Sequence, residues 1–313
     1  MAIEENAAPL PPGRALITGV GGFTGAYVAQ ALAARGFEVH GTVHGIEAHA
    51  THAHVTARYA LDLCDRAQVA QVVAQVQPHV VVHLAAIAFV AHGDAEAMYR
   101  VNLLGTRHLL QALAELPRPP LAVLLASSAN VYGNAAVEVL DEQVPPAPAN
   151  DYAVSKLAME YLARLWLDKL PIMLVRPFNY TGVGQSPQFL LPKIVGHFQR
   201  RAPVIELGNL DVWRDFSDVR TVAQAYVALL QKPAPGEVFN ICSGQTYSLR
   251  EVLALMADIA RYEIEVCINP TFVRANEVER LHGDAHKLWR HIGLLPAIDL
   301  HETLKWMFQS GRF

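Results

Sequence analysis

The segment Thr18-Gly19-Val20-Gly21-Gly22-Phe23-Thr24-Gly25 constrains the fold of this chain more than any other stretch. It follows a short apolar run, Arg14 to Thr18, that reads as a strand, and it opens onto Ala26 to Arg35, a run of helix formers halted by Gly36. A strand that leads through a glycine turn into a helix needs a neighbouring strand, because alone it leaves its backbone N–H and C=O groups unpaired. Phe37 to Val43 supplies one.

The same alternation recurs. Arg66 to Gln77 reads as helix, Val80 to Ala85 as a buried strand, Ala95 to Leu116 as one long helix and Leu121 to Ser127 as strand. Asp151 to Lys169 and Ile172 to Arg176 add a further helix and strand. Repeated units of this kind predict an α/β fold, a Rossmann-like doubly wound parallel sheet with helices on both faces. After Asn179 the character changes: Gly, Gln and Pro are dense through Pro192, and helical patterns return at Leu249 to Arg261 and Leu300 to Phe308. A smaller C-terminal α/β lobe for substrate is expected there. Val219 to Leu230 reads as helix and Val238 to Cys242 as strand, so the chain is expected to return to the first lobe between them. The expected division is a cofactor-binding domain at 13–178 with a return segment at 218–243, a second lobe at 179–217 and 244–313, and a flexible arm at 1–12.

Charge and cysteine content exclude several function classes. With 25 Lys+Arg against 29 Asp+Glu the net charge is −4, so no cationic field is available to hold a nucleic acid. Cys64, Cys242 and Cys267 are odd in number and never form a C-x-x-C pair, which argues against a disulfide framework or a zinc finger and for reduced thiols in the cytoplasm. The longest apolar run, Val80 to Ala91, contains His83 and falls short of the roughly 20 residues that cross a bilayer. The stretch to Pro12, with Glu4, Glu5, Pro9 and Pro11, does not read as a signal peptide. A cytoplasmic protein without membrane or nucleic-acid partners is therefore expected. His44, His49, His52 and His54 crowd one loop but lack neighbouring carboxylates or a fixed helical spacing, so a solvated loop is expected and no metal site.

The glycine pattern carries its own chemistry. Gly19 lets the chain turn, Gly22 lets backbone approach a phosphate, and Gly25 allows close packing of helix on strand, while Phe23 and Thr24 sit where first-turn amides bind pyrophosphate. The second strand ends in Thr42-Val43-His44, without the acid that would accept from a ribose 2′-hydroxyl and repel a 2′-phosphate. NADP(H) is favoured, with Thr42 or His44 near the extra phosphate. No Arg lies between Gly36 and Ala57, which leaves NAD(H) open.

Tyr152 and Lys156 stand at i and i+4, on one face of a helix. Ser127-Ser128 closes the strand upstream, at the end of a parallel sheet where ligands bind. A free phenol titrates at about 10, and a neighbouring ammonium favours its ionised form, which would bring it into acid–base range.

Together with Asp62-Leu63, His83-Leu84-Ala85-Ala86, Asn102 with Gly105-Thr106, and Arg176-Pro177, these residues resemble an extended short-chain dehydrogenase/reductase over essentially the whole chain. The resemblance implies that Ser128 hydrogen-bonds the substrate oxygen, that Tyr152 protonates it, and that Lys156 binds the nicotinamide ribose and tunes Tyr152. It places Asp62 and Leu63 at the adenine and Ala85 along the cofactor path, with Asn102 as a strut. It also implies a homodimer through the helices at 95–116 and 151–169, with which apolar Leu103, Leu110, Ala158, Leu162 and Leu165 are compatible, although burial against the sheet would explain them too. Tyr161, Trp166 and Phe198 are expected in core or interface.

Ser128 is followed by Ala129-Asn130-Val131-Tyr132-Gly133, without the acids of the dehydratase branch and without the cysteine of the fucose-synthase-like branch. Carbonyl reduction or 4-epimerisation survives. The blocks Arg176 to Gln185, Leu207 to Phe216 and Asn240 to Gly244 are similar to the GDP-6-deoxy-4-keto-D-mannose reductases, which form GDP-D-rhamnose, although Tyr180 and Val183 stand where His and Pro are common. This implies a GDP-4-keto-6-deoxyhexose substrate. Asn130 and Asn179 would then contact sugar or diphosphate, Lys193 and Asn209 the guanosine, and Arg274 with Glu277 the diphosphate and ribose. Arg214 would offer a bidentate fork to phosphate, or else pair with Asp215 or Asp218 on the surface. Two rival readings are a sugar-nucleotide 4-epimerase with tightly bound NAD and a non-catalytic dinucleotide-binding redox sensor; intact Ser128, Tyr152 and Lys156 weigh against the second.

Overall fold

Short aliphatic strands buried on both faces build the large sheet of the computed structural model, which describes residues 10–45, 53–88, 94–135, 137–272 and 279–311. The chain runs through β1 (Arg14–Thr18), α1 (Phe23–Ala34), β2 (Glu38–Val43), β3 (Ala57–Ala60), α2 (Arg66–Val76) and β4 (Val80–His83). It continues through α3 (Ala95–Tyr99), α4 (Thr106–Ala114), β5 (Ala122–Ala126), α5 (Asp151–Arg164) and β6 (Ile172–Pro177). Then come β7 (Asn179–Thr181), α6 (Leu190–Gln199), β8 (Val204–Leu207), β9 (Trp213–Asp218), α7 (Val219–Gln231) and β10 (Val238–Ile241). The last elements are β11 (Thr246–Ser248), α8 (Leu249–Ala260), β12 (Glu265–Ile268), β13 (Arg280–Leu281), α9 (His286–Ile292) and α10 (Leu300–Ser310).

Seven parallel strands lie in the order β10-β6-β5-β4-β1-β2-β3. Ala15, Ile17, Val82 and Leu124 face one side, where Val28 and Leu32 of α1 and Val227 and Leu230 of α7 cover them. Leu16, Val81, Val123 and Leu125 face the other, against Val73 of α2, Leu109 and Leu113 of α4 and Met159 of α5. The strand order reverses between β1 and β4, so a ligand crevice opens at their carboxyl ends, beside Gly19 and Ala85.

Two helices depart from expectation. The run from Ala95 is interrupted by a π-helical turn at Arg100–Gly105 before α4 begins. The extra residue in that turn points Asn102 inward, where its Oδ1 accepts from Ile87 N at 2.9 Å and its Nδ2 donates to Ser155 Oγ at 3.0 Å. Gly105 is required there, since a Cβ would stand 2.9 Å from Leu63 Cβ. Helix α5 starts on an Asn150 cap, whose side chain accepts from Ala153 N at 2.9 Å, and ends at Arg164, short of Lys169.

A second set of strands, β11-β9-β13 with β7 on β9, and the pair β12–β8, packs with α6, α8 and α10 around Ile194, Phe198, Phe216, Met256 and Leu304. Between them α7 and β10 rejoin the large sheet. Asp215 is fully buried and accepts from Ser243 N, Ser243 Oγ and Gly244 N at 2.7–2.9 Å, tying β9 to the loop after β10. Of the arm expected at 1–12, residues 1–9 lie outside the described residues; Leu10 is docked, its N donating to Gln231 O. Among the described residues no helix is long and apolar enough to cross a membrane.

Candidate active site

The glycine loop is held at van der Waals limits. Gly19 has φ +74° and a Cβ there would lie 3.0 Å from Ala85 Cα, while a Cβ on Gly25 would lie 2.5 Å from Gly19 O. Gly22 caps α1 without a side-chain hydrogen bond, and the first turn carries no acid. That leaves first-turn amides and the positive end of the helix dipole for an anion. The Phe23 ring stacks on Tyr180 with centroids 6.1 Å apart, and Thr24 Oγ1 lies 2.8 Å from the Tyr180 hydroxyl. Thr42 is turned into the loop: its carbonyl accepts from Gly19 N and Val20 N and its side chain is buried, so it supports the loop rather than facing an extra phosphate. His44 is exposed at the strand end, whereas His49 and His52 lie outside the described residues.

Below the loop, Leu84 N and Ala85 N donate to Thr18 Oγ1, which is 2.6 Å from His83 Nδ1. Thr106 Oγ1 donates to Asn102 O and lies 2.8 Å from His83 Nε2, so Nε2 carries the proton and Nδ1 accepts from Thr18. Burial, aided by the Lys156 charge, pulls His83 down to about 3, and the ring stays neutral. Asp62 Oδ1 accepts from Cys64 N at 2.8 Å, and Leu63 is buried against Gly105.

Ser128, Tyr152 and Lys156 meet where the end of β5 faces α5, and all three are buried. Ser128 Oγ accepts from Asn130 N at 3.2 Å and Asn130 Nδ2 at 3.0 Å, which leaves its own hydrogen to be donated toward the neighbouring Tyr152 phenol, whose pKa it lowers. Asn130 is half-buried and the 3₁₀ turn at Ala129–Tyr132 folds its Nδ2 back onto Ser128, while no hydrogen bond to its Oδ1 is formed among the described residues. Burial pushes Tyr152 up to about 12, with the Ser128 bond opposing, and pulls Lys156 down to about 8, with Glu160 opposing. Lys156 Nζ donates to Ala126 O at 2.8 Å, at the strand end beside Ser127 and Ser128.

On the substrate side, Asn179 Nδ2 is buried without a hydrogen-bond partner, a donor left for a ligand. Lys193 Nζ donates to Glu206 O at 2.7 Å and sits 4.4 Å from the Phe272 ring centroid. It also lines a cavity of about 250 Å³ with Pro187, His197 and Arg200. Asn209 Oδ1 closes a turn on Asp211 N at 2.9 Å, so that oxygen is already used. Arg214 Nη1 donates to Trp213 O and Glu279 O. Asp215 is taken by Ser243 and Gly244, and Asp218 by Arg220 and Thr303. Arg274 and Glu277 lie outside the described residues.

Sequence reasoning assigned no role to Glu160 or to the Arg176 side chain, yet they form a buried ion pair under the triad, at 2.6 Å between Nη2 and Oε2. The signals were present: Glu160 is four residues beyond Lys156 on the same helix face, and Arg176 interrupts an apolar strand.

A family model described as GDP-mannose 4,6 dehydratase matches residues 16–307. The chain belongs to the GDP-mannose 4,6-dehydratase family. It is an extended short-chain dehydrogenase/reductase, as the glycine loop and Tyr-x-x-x-Lys spacing suggest. Within this family, GDP-6-deoxy-D-talose 4-dehydrogenase of Aggregatibacter actinomycetemcomitans is 35% identical over 279 residues, covering 89% of this chain and 90% of that protein. GDP-6-deoxy-D-mannose reductase of Pseudomonas aeruginosa is 34% identical over 303 residues, covering 93% and 95%. Among solved structures, a candidate epimerase of Burkholderia cenocepacia J2315 superposes with a TM-score of 0.90 at 52% identity, covering 97% of this chain and 99% of that one. RMD from Pseudomonas aeruginosa, complexed with NADPH, gives 0.80 at 32% identity, covering 96% and 98%.

Proposed function

We propose that the protein reduces the 4-keto group of a GDP-4-keto-6-deoxyhexose, converting GDP-6-deoxy-4-keto-D-mannose to GDP-D-rhamnose or acting on a 6-deoxytalose or heptose counterpart. The observation that carries this reading is the convergence of Ser128, Tyr152 and Lys156, all buried, where the carboxyl end of β5 faces α5 beside the glycine loop. A phenol held there beside a serine hydroxyl and an ammonium is placed to pass a proton to a substrate oxygen. Ala129, which is buried, stands where an eliminating enzyme needs an acid. The two curated relatives, named for 4-keto and 4-hydroxy chemistry on GDP-6-deoxyhexoses, support the same substrate class.

NADP(H) is the favoured cofactor, with NAD(H) the alternative; the uncapped α1 terminus and the NADPH complex of the Pseudomonas relative support this. Gly19, Gly22, Phe23, Thr24 and Gly25 would hold its pyrophosphate, Asp62 and Leu63 its adenine, His44 an extra phosphate, and Ala85, Tyr152 and Lys156 the nicotinamide half. When bound, the reduced nicotinamide supplies the hydride. Ser128 hydrogen-bonds the sugar carbonyl oxygen, Asn130 keeps that hydroxyl aimed, and Tyr152 delivers the proton, a general-acid contribution of about 10²–10⁴-fold. Lys156 exchanges the Ala126 carbonyl for the ribose. Asn179, Lys193, Asn209 and Arg214 would hold the nucleotide diphosphate, with Arg274 and Glu277 beside them. The residues at 13–178 and 218–243 would serve as cofactor domain and those at 179–217 and 244–313 as substrate lobe.

Tyr152→Phe tests the reading: NADPH affinity should stay near wild type while kcat falls by about 10²-fold or more, and an equally active variant would defeat it. A 4-epimerase is the second reading, favoured by the candidate epimerase at 52% identity. It would retain NAD tightly and show no net cofactor consumption. A homodimer is also part of the proposal: Val154, Tyr161 and Leu165 leave one stripe of α5 exposed, with Leu104 nearby in the sequence of the adjoining π turn. We assign the protein to the cytoplasm on its unpaired cysteines.

A further inference from the structure

We propose that Glu160 is a positioning residue for the reaction, locking the strand end that carries Ser128 so that its hydroxyl stays opposite Tyr152. The proposal rests on the triad reading above and extends it to a residue that does not touch substrate.

Three side chains spaced four apart on one face of α5 grip three consecutive residues at the end of β5. Tyr152 meets Ser128, Lys156 Nζ donates to Ala126 O at 2.8 Å, and Glu160 Oε1 accepts from Ser127 Oγ at 2.5 Å. The Glu160 grip is the one that fixes side-chain direction at Ser127, the residue preceding Ser128. Glu160 is 1% exposed and needs a cation, which Arg176 brings from the adjacent strand β6 through Nε to Oε1 at 2.9 Å and Nη2 to Oε2 at 2.6 Å. Arg176 Nη1 donates onward to the Tyr132 hydroxyl at 3.0 Å, Tyr132 donates to Asn240 Oδ1 at 2.8 Å, and Asn240 Nδ2 donates to Leu140 O at 2.9 Å. The carboxylate therefore ties together the carboxyl ends of β5, β6 and β10, and Tyr132 lies in the same turn as Asn130, which aims Ser128.

Stability alone does not account for this arrangement. A buried ion pair is often matched or bettered by apolar residues of the same volume, whereas a fully satisfied buried network restricts the geometry around it. Here the restricted geometry is that of the reacting hydroxyls, where a displacement of about 1 Å costs about 10²-fold in rate.

The test measures kcat and KM for GDP-6-deoxy-4-keto-D-mannose with NADPH, and the NADPH dissociation constant, in Glu160→Gln and Ser127→Ala. Each change is made alone and on a Ser128→Ala background. Ser127→Ala leaves the Glu160–Arg176 pair intact and so serves if Glu160→Gln fails to fold. The expected result is a kcat about 10- to 100-fold lower in either single variant, with NADPH affinity unchanged. On the Ser128→Ala background the further loss should nearly vanish, because the effect runs through that hydroxyl. Losses that multiply fully with Ser128→Ala, or a wild-type kcat in Ser127→Ala, overturn the proposal. Tyr152→Phe measured alongside separates the two levels: activity retained there refutes the triad reading and this proposal with it, whereas activity lost there and retained in Ser127→Ala refutes the proposal alone.

Discussion

Replacing Arg176 with methionine keeps most of the side-chain volume and removes the charge opposite Glu160. The two partners are 3% and 1% exposed, so the carboxylate cannot turn to water, and Ser127 Oγ is its remaining donor. Tyr132 offers no substitute charge, since a phenol is neutral or anionic and bonds Arg176 rather than Glu160. Stranding one member of such a pair costs about 3–5 kcal/mol. For 313 residues the unfolding entropy is about 0.65 kcal/mol per kelvin, so calorimetry should show a Tm lower by about 5–8 °C. Arg176→Met combined with Glu160→Leu should recover much of the Tm, because neither charge is then left alone. A Tm drop below about 2 °C would refute the claim that the buried carboxylate depends on this cation.

Three further outcomes follow from other parts of the molecule. His83 is held neutral at about 3 against 6.5 in the unfolded chain, so it contributes stability above pH 6.5 that is lost as pH falls; by about pH 5 the loss is roughly 2 kcal/mol, and denaturant titrations of His83→Gln should lack that share of the acid destabilisation. Gly25→Ala places a Cβ 2.5 Å from Gly19 O and 2.7 Å from Val20 Cα, so the loop must open and NADPH affinity should fall at least about tenfold by fluorescence titration; unchanged affinity would mean the cofactor binds elsewhere. Tyr161 and Leu165 are 58% and 75% exposed, and Tyr161→Ser with Leu165→Glu should yield monomers in light scattering; a dimer of unchanged mass would place the interface on another face.

The parallel sheet, the glycine loop and the placing of Tyr152 and Lys156 on one helix face were legible in the sequence because each rests on local spacing. Glycines at 19, 22 and 25 between strand and helix, and Tyr152 with Lys156 one turn apart, need no tertiary information. What escaped depends on contacts between distant segments. The π turn at Arg100–Gly105 exists because Asn102 reaches Ile87 and Ser155, and an unbroken helical pattern gives no sign of it. That the Thr42 side chain is buried under the glycine loop, that Lys156 Nζ bonds Ala126 O and that Asn130 Nδ2 folds back onto Ser128 likewise depend on tertiary contacts that spacing does not show.

The central claim is net reduction of a GDP-bound 4-keto sugar through Tyr152. Its most direct test is to incubate the protein with GDP-6-deoxy-4-keto-D-mannose and NADPH, follow cofactor oxidation, and identify the product by mass and NMR. The account predicts NADPH consumed mole for mole with formation of a GDP-6-deoxyhexose, and no such product from Tyr152→Phe. A sugar nucleotide inverted at C4 with no NADPH consumed, or full turnover by Tyr152→Phe, would contradict it.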